Sequence, residues 1–158
     1  MLTPQDFTAA LASFATGVAV VTVRDGRDDL GSTITAFTSV SMDPPMVLIS
    51  VAAASYLAEV LHRQPRWAVT VLAAAQRALA GRFAAEGRPS ARLLLGGQPH
   101  HRGPKSDALV IEGGLAAIEC ETRVRLPAGD HVLFVAEVLG VDYLARQDPL
   151  IRVNRRYR

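Results

Sequence analysis

The chain holds a single cysteine, Cys120, in 158 residues. One thiol excludes an internal disulfide and accords with a reducing compartment. It stands in the alternating run Ala117–Ile118–Glu119–Cys120–Glu121, the setting of a small packed residue and not of a nucleophile. An excess of charge is missing as well. Lys and Arg number 17 against 15 Asp and Glu, a net charge of +2, too small for a nucleic-acid-binding surface. The basic residues are scattered until Arg152, Arg155, Arg156 and Arg158. That cluster reads first as a solvated tail and second as a contact to an anion or cofactor phosphate. No apolar run approaches the ~20 residues that span a bilayer, and Met1-Leu2-Thr3-Pro4-Gln5-Asp6 places no basic leader before an apolar stretch. The expectation is a cytoplasmic protein with neither nucleic acid nor membrane as partner.

Several catalytic signatures are also missing. No G-x-G-x-x-G follows a strand, which removes the Rossmann-type dinucleotide fingerprint, and no G-x-S-x-G elbow occurs. The segment Gly97 to Ser106 has some features of a phosphate loop, but its spacing is wrong and Pro104 separates Gly103 from Lys105. Of the four histidines, His62, His100, His101 and His131, the adjacent pair points apart in extended chain and lacks a Cys or acidic partner at ligand spacing. No metal site is expected.

What remains is a chain sized for one domain, residues 1–158, with a clear element pattern. Thr3 can cap a helix opened by Pro4, and Phe7, Leu11 and Phe14 give it one apolar face that ends by Gly17. Val18–Val23, Ser32–Ser41, Met46–Val51 and Trp67–Leu72 read as strands. Asp25-Gly26 and Asp43-Pro44-Pro45 supply turns between them. Short helices fit Ser55–Arg63 and Ala73–Ala85. Glu86 to Asp107 reads as the longest loop, functional or mobile. Strands over Ala108–Ile111, Leu115–Leu126, His131–Val141 and Leu150–Val153 close the chain. Six or seven strands, two or three short helices and no βαβ alternation point to a mainly β protein. A closed antiparallel barrel with helical insertions is favoured, and a sandwich has the same periodicity.

One segment is unusual by composition. In Gly31 to Pro45, alternation sets Thr33, Thr35, Phe37, Ser39 and Ser41 on one face, with Ile34, Ala36, Thr38 and Val40 on the other. Hydroxyls and backbone N–H groups donate to anionic or carbonyl oxygens without bringing a bulky charge; an edge strand with a wet face has the same composition.

The pattern Gly-x-Thr-x-x-x-Phe-Thr-Ser-x-Ser-x-Asp-Pro-Pro-x-Val-Leu from Gly31 to Leu48 resembles the signature of the short-chain flavin reductases, the reductase partners of two-component flavin monooxygenases. Further blocks follow in the family's order: Ala15-Thr16-Gly17-Val18; Trp67 to Leu72 with Gln76, Leu79-Ala80 and Arg82-Phe83-Ala84; Glu112 to Ala116; Glu119-Cys120-Glu121; and Gly129-Asp130-His131. The agreement runs from Phe7 to Tyr157.

The resemblance implies a split β-barrel of Greek-key, FMN-binding type with two or three short helices. It implies a homodimer with FMN or FAD near the dimer interface, and hydride supplied by NADH or NADPH. The reduced flavin then serves a separate flavin-dependent monooxygenase. By the same resemblance Thr33, Ile34, Thr35, Ala36, Phe37 and Ser39 wrap the flavin. Ser50, Val51, Ala52 and Ser55 lie along its ring or ribityl chain, and Arg82 and Phe83 meet its phosphate end. Gly129, Asp130 and His131, with Tyr157 as neighbour, face the nicotinamide. No catalytic side chain is expected, because hydride transfer between two rings is positioning work. A non-catalytic flavin carrier and a protein that keeps its flavin to reduce a specific organic substrate are the alternatives. In the second of these, the loop from Glu86 to Asp107 shapes the pocket. The chain departs from the family at Thr35 and Thr70, where asparagine is common, at Arg152, where an aromatic is usual, and at Asn154, where arginine is usual.

Overall fold

In the computed structural model, which describes residues 1–158, the Thr3 hydroxyl accepts the Asp6 N–H at 3.1 Å and opens helix α1 (Pro4–Ala12). A two-residue strand β1 (Thr16–Gly17) leads into β2 (Ala19–Asp25), β3 (Asp28–Ile34), β4 (Phe37–Met42) and β5 (Pro45–Ala52). Then come α2 (Tyr56–Arg63), β6 (Arg66–Val71), a single 3₁₀ turn (Ala74–Gln76), α3 (Arg77–Ala84) and α4 (Ala91–Leu94). The short β7 (His100–Arg102) and β8 (Leu109–Ile111) precede a long hairpin, β9 (Ala116–Ala128) and β10 (His131–Leu144). A small hairpin, β11 (Ile151–Val153) and β12 (Arg156–Tyr157), ends the chain. No helix is long and apolar enough to cross a membrane.

Seven strands form one antiparallel sheet in the order β3-β2-β6-β9-β10-β5-β4. One sheet holding all the long strands sets the sandwich alternative aside. The connection from β3 to β4 determines its shape. These strands are the two edges, yet only Thr35 and Ala36 separate them. Laid flat, six strand spacings of about 4.8 Å would hold the edges roughly 29 Å apart. Three residue steps from Ile34 to Phe37 reach no more than about 11 Å. The sheet therefore curls until its edges approach at that point, although β3 and β4 exchange no ladder hydrogen bonds.

Curling buries both faces of the middle strands. Val21, Val23, Ile49, Trp67 and Phe134 join Leu57 and Leu61 of α2 in a core of 17 buried residues. Val20 and Leu72 face the other way, into a second cluster with Leu79 and Phe83 of α3 and Ile111 of β8. This explains why Val18–Val23 is an unbroken apolar run and not an alternating one. Indole Nε1 of the fully buried Trp67 donates to Thr122 Oγ1 at 2.8 Å, so the ring carries no unsatisfied group.

Three sequence expectations need correction. The hydroxyl-rich segment is two strands, broken at Thr35–Ala36 and bulged between Ser39 and Ser41, so its alternation does not persist. There are four α-helices, not two or three, because α4 forms inside the stretch read as loop. That stretch also pins the edge of β3. Arg88 Nε donates to Gly31 O at 2.7 Å, Ser90 Oγ to Asp29 O at 3.3 Å and Arg92 Nη2 to Arg27 O at 2.8 Å. Alternate side chains thus substitute for the donors of a missing strand and blunt an open sheet edge. Only a tertiary partner reveals this function; periodicity does not. The arginine-rich run is a paired hairpin and not a free tail, since β11 pairs with β1 and Asn154 N–H donates to Ala12 O at 2.7 Å, although Arg155, Arg156 and Arg158 remain exposed.

Candidate functional site

Where β3 breaks into β4, a cleft of about 730 Å³ opens. Ile34, Thr35, Ala36 and Phe37 form one wall, Leu11 and Phe14 of α1 with Thr16 and Gly17 of β1 the other. Nine of its 13 lining residues are hydrophobic, so the walls suit a flat apolar ring and the size is that of a small-ligand site. The strand break provides the polar groups. Thr35 O accepts from Phe37 N at 3.0 Å and Ala36 O from Ser50 N at 3.2 Å. The N–H groups of Thr35 and Ala36 donate to nothing within the protein, and both residues are exposed. Exposed amides of this kind are left to water or to a ligand. Two in succession at the lip of an apolar cleft present a ready pair of donors to a bound acceptor.

The residues expected around a flavin fall into three places. Ile34, Thr35, Ala36 and Phe37 line the cleft, and Ser50 adjoins them through its bond to Ala36. At the far end of β5, Ala52 stands opposite His131 of β10. There Gly129 and Asp130 make the two-residue turn of the β9–β10 hairpin, with Gly129 at φ 59°. Asp130 O accepts from Ala53 N at 2.9 Å, which docks this turn on the start of α2. His131 Nδ1 lies 2.7 Å from Asp130 Oδ1 and holds that carboxyl below its usual range. Two residue steps along β5 separate Ser50 from Ala52, about 7 Å, so the histidine corner and the cleft lip share one strand.

The third group does not reach the cleft in the expected way. Thr33 Oγ1 donates to Ala80 O at 2.6 Å and ties β3 to α3. Phe83 is 0% exposed because it fills the space beneath Gly31, where a Cβ would stand 2.5 Å from its ring. It is a core residue. Val51 likewise points into the core. The Ser55 hydroxyl is occupied as cap of α2, accepting from Ala58 N at 3.1 Å and donating to Ala52 O at 2.7 Å. Arg82 is exposed on α3 and Ser39 on β4, neither lining the cleft. Tyr157 lies in the C-terminal hairpin, half-buried against the second cluster.

Sequence reasoning missed the α1 and β1 wall. Leu11 and Phe14 read as an ordinary apolar helix face and Gly17 as the end of the helix. The signal available was Thr16-Gly17 between two apolar segments, a glycine that no turn required. Nothing from Glu86 to Asp107 lines the cleft, so that stretch does not shape it. Cys120 is buried, and burial beside Glu119 pushes its thiol up to about 12. It is inert at neutral pH. His100 Nδ1 lies 2.7 Å from Gln98 O, while His101 sits between Glu112 and Asp142. No group of three metal-ligating side chains converges.

A family model described as a flavin reductase like domain matches residues 11–158. The chain is 34% identical over 152 residues to the reductase component of 4-hydroxyphenylacetate 3-monooxygenase of Thermus thermophilus, covering 96% of this chain and 93% of that protein. It is 35% identical to an NADH-dependent FAD reductase of Streptomyces globisporus, over 92% of this chain and 79% of the relative. Other relatives are NADH-dependent reductases of FMN. The crystal structure of the flavin reductase component of a bacterial two-component tryptophan halogenase superposes with a TM-score of 0.92 at 33% identity, covering 99% of this chain and 97% of that one.

Proposed function

Because the chain belongs to the flavin reductase-like domain family, we propose that it is an NADH-dependent flavin reductase whose single domain, residues 1–158, supplies reduced FMN or FAD to a separate monooxygenase. The curled sheet is, in this reading, the split β-barrel of Greek-key, FMN-binding type. One observation carries the assignment: the unpaired N–H groups of Thr35 and Ala36 at the lip of an apolar cleft of about 730 Å³. They fit a flavin, whose flat ring is apolar across its faces and rich in acceptors along one edge.

Bound flavin supplies the hydride acceptor. The protein's own contribution is placement. The apolar wall of Leu11, Phe14 and Ile34 excludes water from one side of the ring. The Thr35 and Ala36 amides orient it by its polar edge. The Asp130–His131 corner, two residues further along β5 than Ser50, offers the nicotinamide nucleotide a histidine whose Nδ1 lies 2.7 Å from the exposed Asp130 carboxyl. No general acid or metal is required for hydride to pass between stacked rings.

The purified protein is expected to oxidise NADH rapidly only when FMN or FAD is present, followed as loss of nicotinamide absorbance. Adding the flavin-dependent monooxygenase and its substrate should couple that oxidation to product. No flavin-dependent oxidation under conditions where flavin binds would defeat the assignment.

We further propose that the protein works as a homodimer built on α1. This helix buries none of its own residues. Phe7, Leu11 and Phe14 are 55%, 55% and 71% exposed in the single chain, an apolar patch that monomeric proteins seldom leave open. A second copy would cover it and close the outer wall of the cleft. Sedimentation should give a dimer at micromolar concentration, and Phe7→Asp should shift it to monomer. A wild-type monomer at that concentration would reject the interface.

A further inference from the structure

Six of the sixteen arginines pair with a carboxylate and ten do not, the four of the tail among them. Arg24, Arg63, Arg66, Arg92, Arg102 and Arg123 each meet a carboxylate within 4.0 Å. Arg152, Arg155, Arg156 and Arg158 meet none. Of these four, Arg152 is the one held in place. Its guanidinium carbon lies 5.3 Å from the centre of the Tyr157 ring, within cation–π range, and Tyr157 packs in turn on the second core cluster.

Its position in the small sheet matters as much as its charge. Thr16 pairs with Arg152, and Arg152 with Tyr157. Directly opposed residues of antiparallel strands project to the same face, so Thr16, Arg152 and Tyr157 form one row. Thr16 at the end of that row lines the cleft, while Arg152 and Tyr157 lie outside its lining. The guanidinium makes no hydrogen bond within the protein, is half-buried, and keeps all five N–H donors free. A planar fork whose carbon lies 5.3 Å from a phenol ring centre, partly out of water and without a carboxylate, is suited to a phosphate group.

We propose that Arg152 recognises a phosphate ester of the nucleotide that occupies the cleft, with Tyr157 as its platform. The proposal rests on the reading of the cleft as a flavin nucleotide site. Two sources share the chemistry: the 5′-phosphate end of the flavin and the pyrophosphate of the nicotinamide dinucleotide. Hydrogen bonds to a charged group are worth enough that losing the fork weakens binding roughly ten- to a hundredfold.

The test compares wild type, Arg152→Leu and Arg152→Lys. Flavin fluorescence titrations use riboflavin, which has no phosphate, and FMN, at low and high salt; steady-state kinetics give KM and kcat for NADH. If the flavin phosphate is the ligand, Arg152→Leu loses roughly ten- to a hundredfold in FMN affinity and nothing in riboflavin affinity. The lysine variant recovers part of that loss, and the salt dependence of FMN binding flattens. If the dinucleotide is the source, both flavins bind as in wild type and KM for NADH rises at least tenfold at unchanged kcat. Equal weakening of riboflavin and FMN, or no change in either FMN affinity or KM, overturns the proposal. A wild-type protein that binds neither flavin fails the functional reading itself, a result distinct from any change confined to the variants.

Discussion

Arg102→Met is expected to cost about 3–5 kcal/mol of folding free energy, read as a fall in the urea midpoint at unchanged slope. Asp29 on β3 is 2% exposed, and Arg102 grips it with both ends of its fork, Nη1 to Oδ1 at 2.5 Å and Nη2 to Oδ2 at 3.1 Å. That carboxylate in turn holds the guanidinium above its usual value. Methionine keeps the aliphatic stem and removes the charge together with its donors, the Nη1 bond to Asp107 O at 2.9 Å included. What remains is a buried carboxylate whose nearest cation, Arg92, stands 3.5 Å away on a side chain 56% exposed. Such a partner is too loose and too solvated to replace a bidentate contact. The asymmetry of buried pairs gives a second expectation. Asp29→Asn with Arg102→Met should be less damaging than the sum of the two single changes, because the orphaned charge is then gone as well. Strict additivity in that double-mutant cycle, or a loss below about 1 kcal/mol for Arg102→Met, would show that the pair does not secure β3.

The same contact shows where reading the sequence stopped. Asp29 lies in Asp28–Ile34, and its carboxyl is bound 73 residues later in a stretch without periodicity. Local pattern accounts for the strands. Val18–Val23, Met46–Val51 and Trp67–Leu72 signal themselves by β-branched content, and the caps at Thr3 and Ser55 stand where hydroxyls precede apolar spacing. The path from Glu86 to Asp107 depends on what Arg88, Ser90, Arg92 and Arg102 touch, and polar side chains in series look alike whether solvated or bonded to a strand edge. Family pattern points to Ile34–Phe37, which line the cleft, while the alternation read across the segment fails because the strand breaks at Thr35–Ala36. In the proposed reading the segment would serve a flavin through the break at Thr35 and Ala36, which leaves two amides free of protein partners, rather than through hydroxyls aligned on a continuous face. Thr33 illustrates the point, its hydroxyl being spent on α3. Phe83 illustrates the converse: an aromatic in a family block is there for packing under Gly31.

Two glycines of the family pattern separate these reasons by experiment, and Gly17→Trp carries the larger functional effect. A Cβ built on Gly17 meets no heavy atom within 4 Å, and its φ is not one that only glycine favours. Its strand is paired to Ile151 through the backbone alone, so a side chain there displaces nothing. Stability should stay within about 0.5 kcal/mol of wild type, as for substitutions that touch no packed group. Gly17 lines the cleft, so an indole added there is expected to take up part of its space. Overlap with a ligand's ring admits no small adjustment in a walled site, so flavin affinity should fall at least about a hundredfold, some 2.7 kcal/mol. Gly17→Ala, which adds one methyl to open space, should retain most of it. Gly31→Ala is the opposite case. Its Cβ would lie 2.5 Å from the fully buried Phe83 ring, an overpacking that costs about 1–3 kcal/mol while leaving the affinity of the folded fraction intact. Thermal unfolding and flavin fluorescence titration on the same three proteins decide between them. Wild-type flavin affinity in a folded Gly17→Trp protein would remove the cleft at the β3–β4 break from the flavin site.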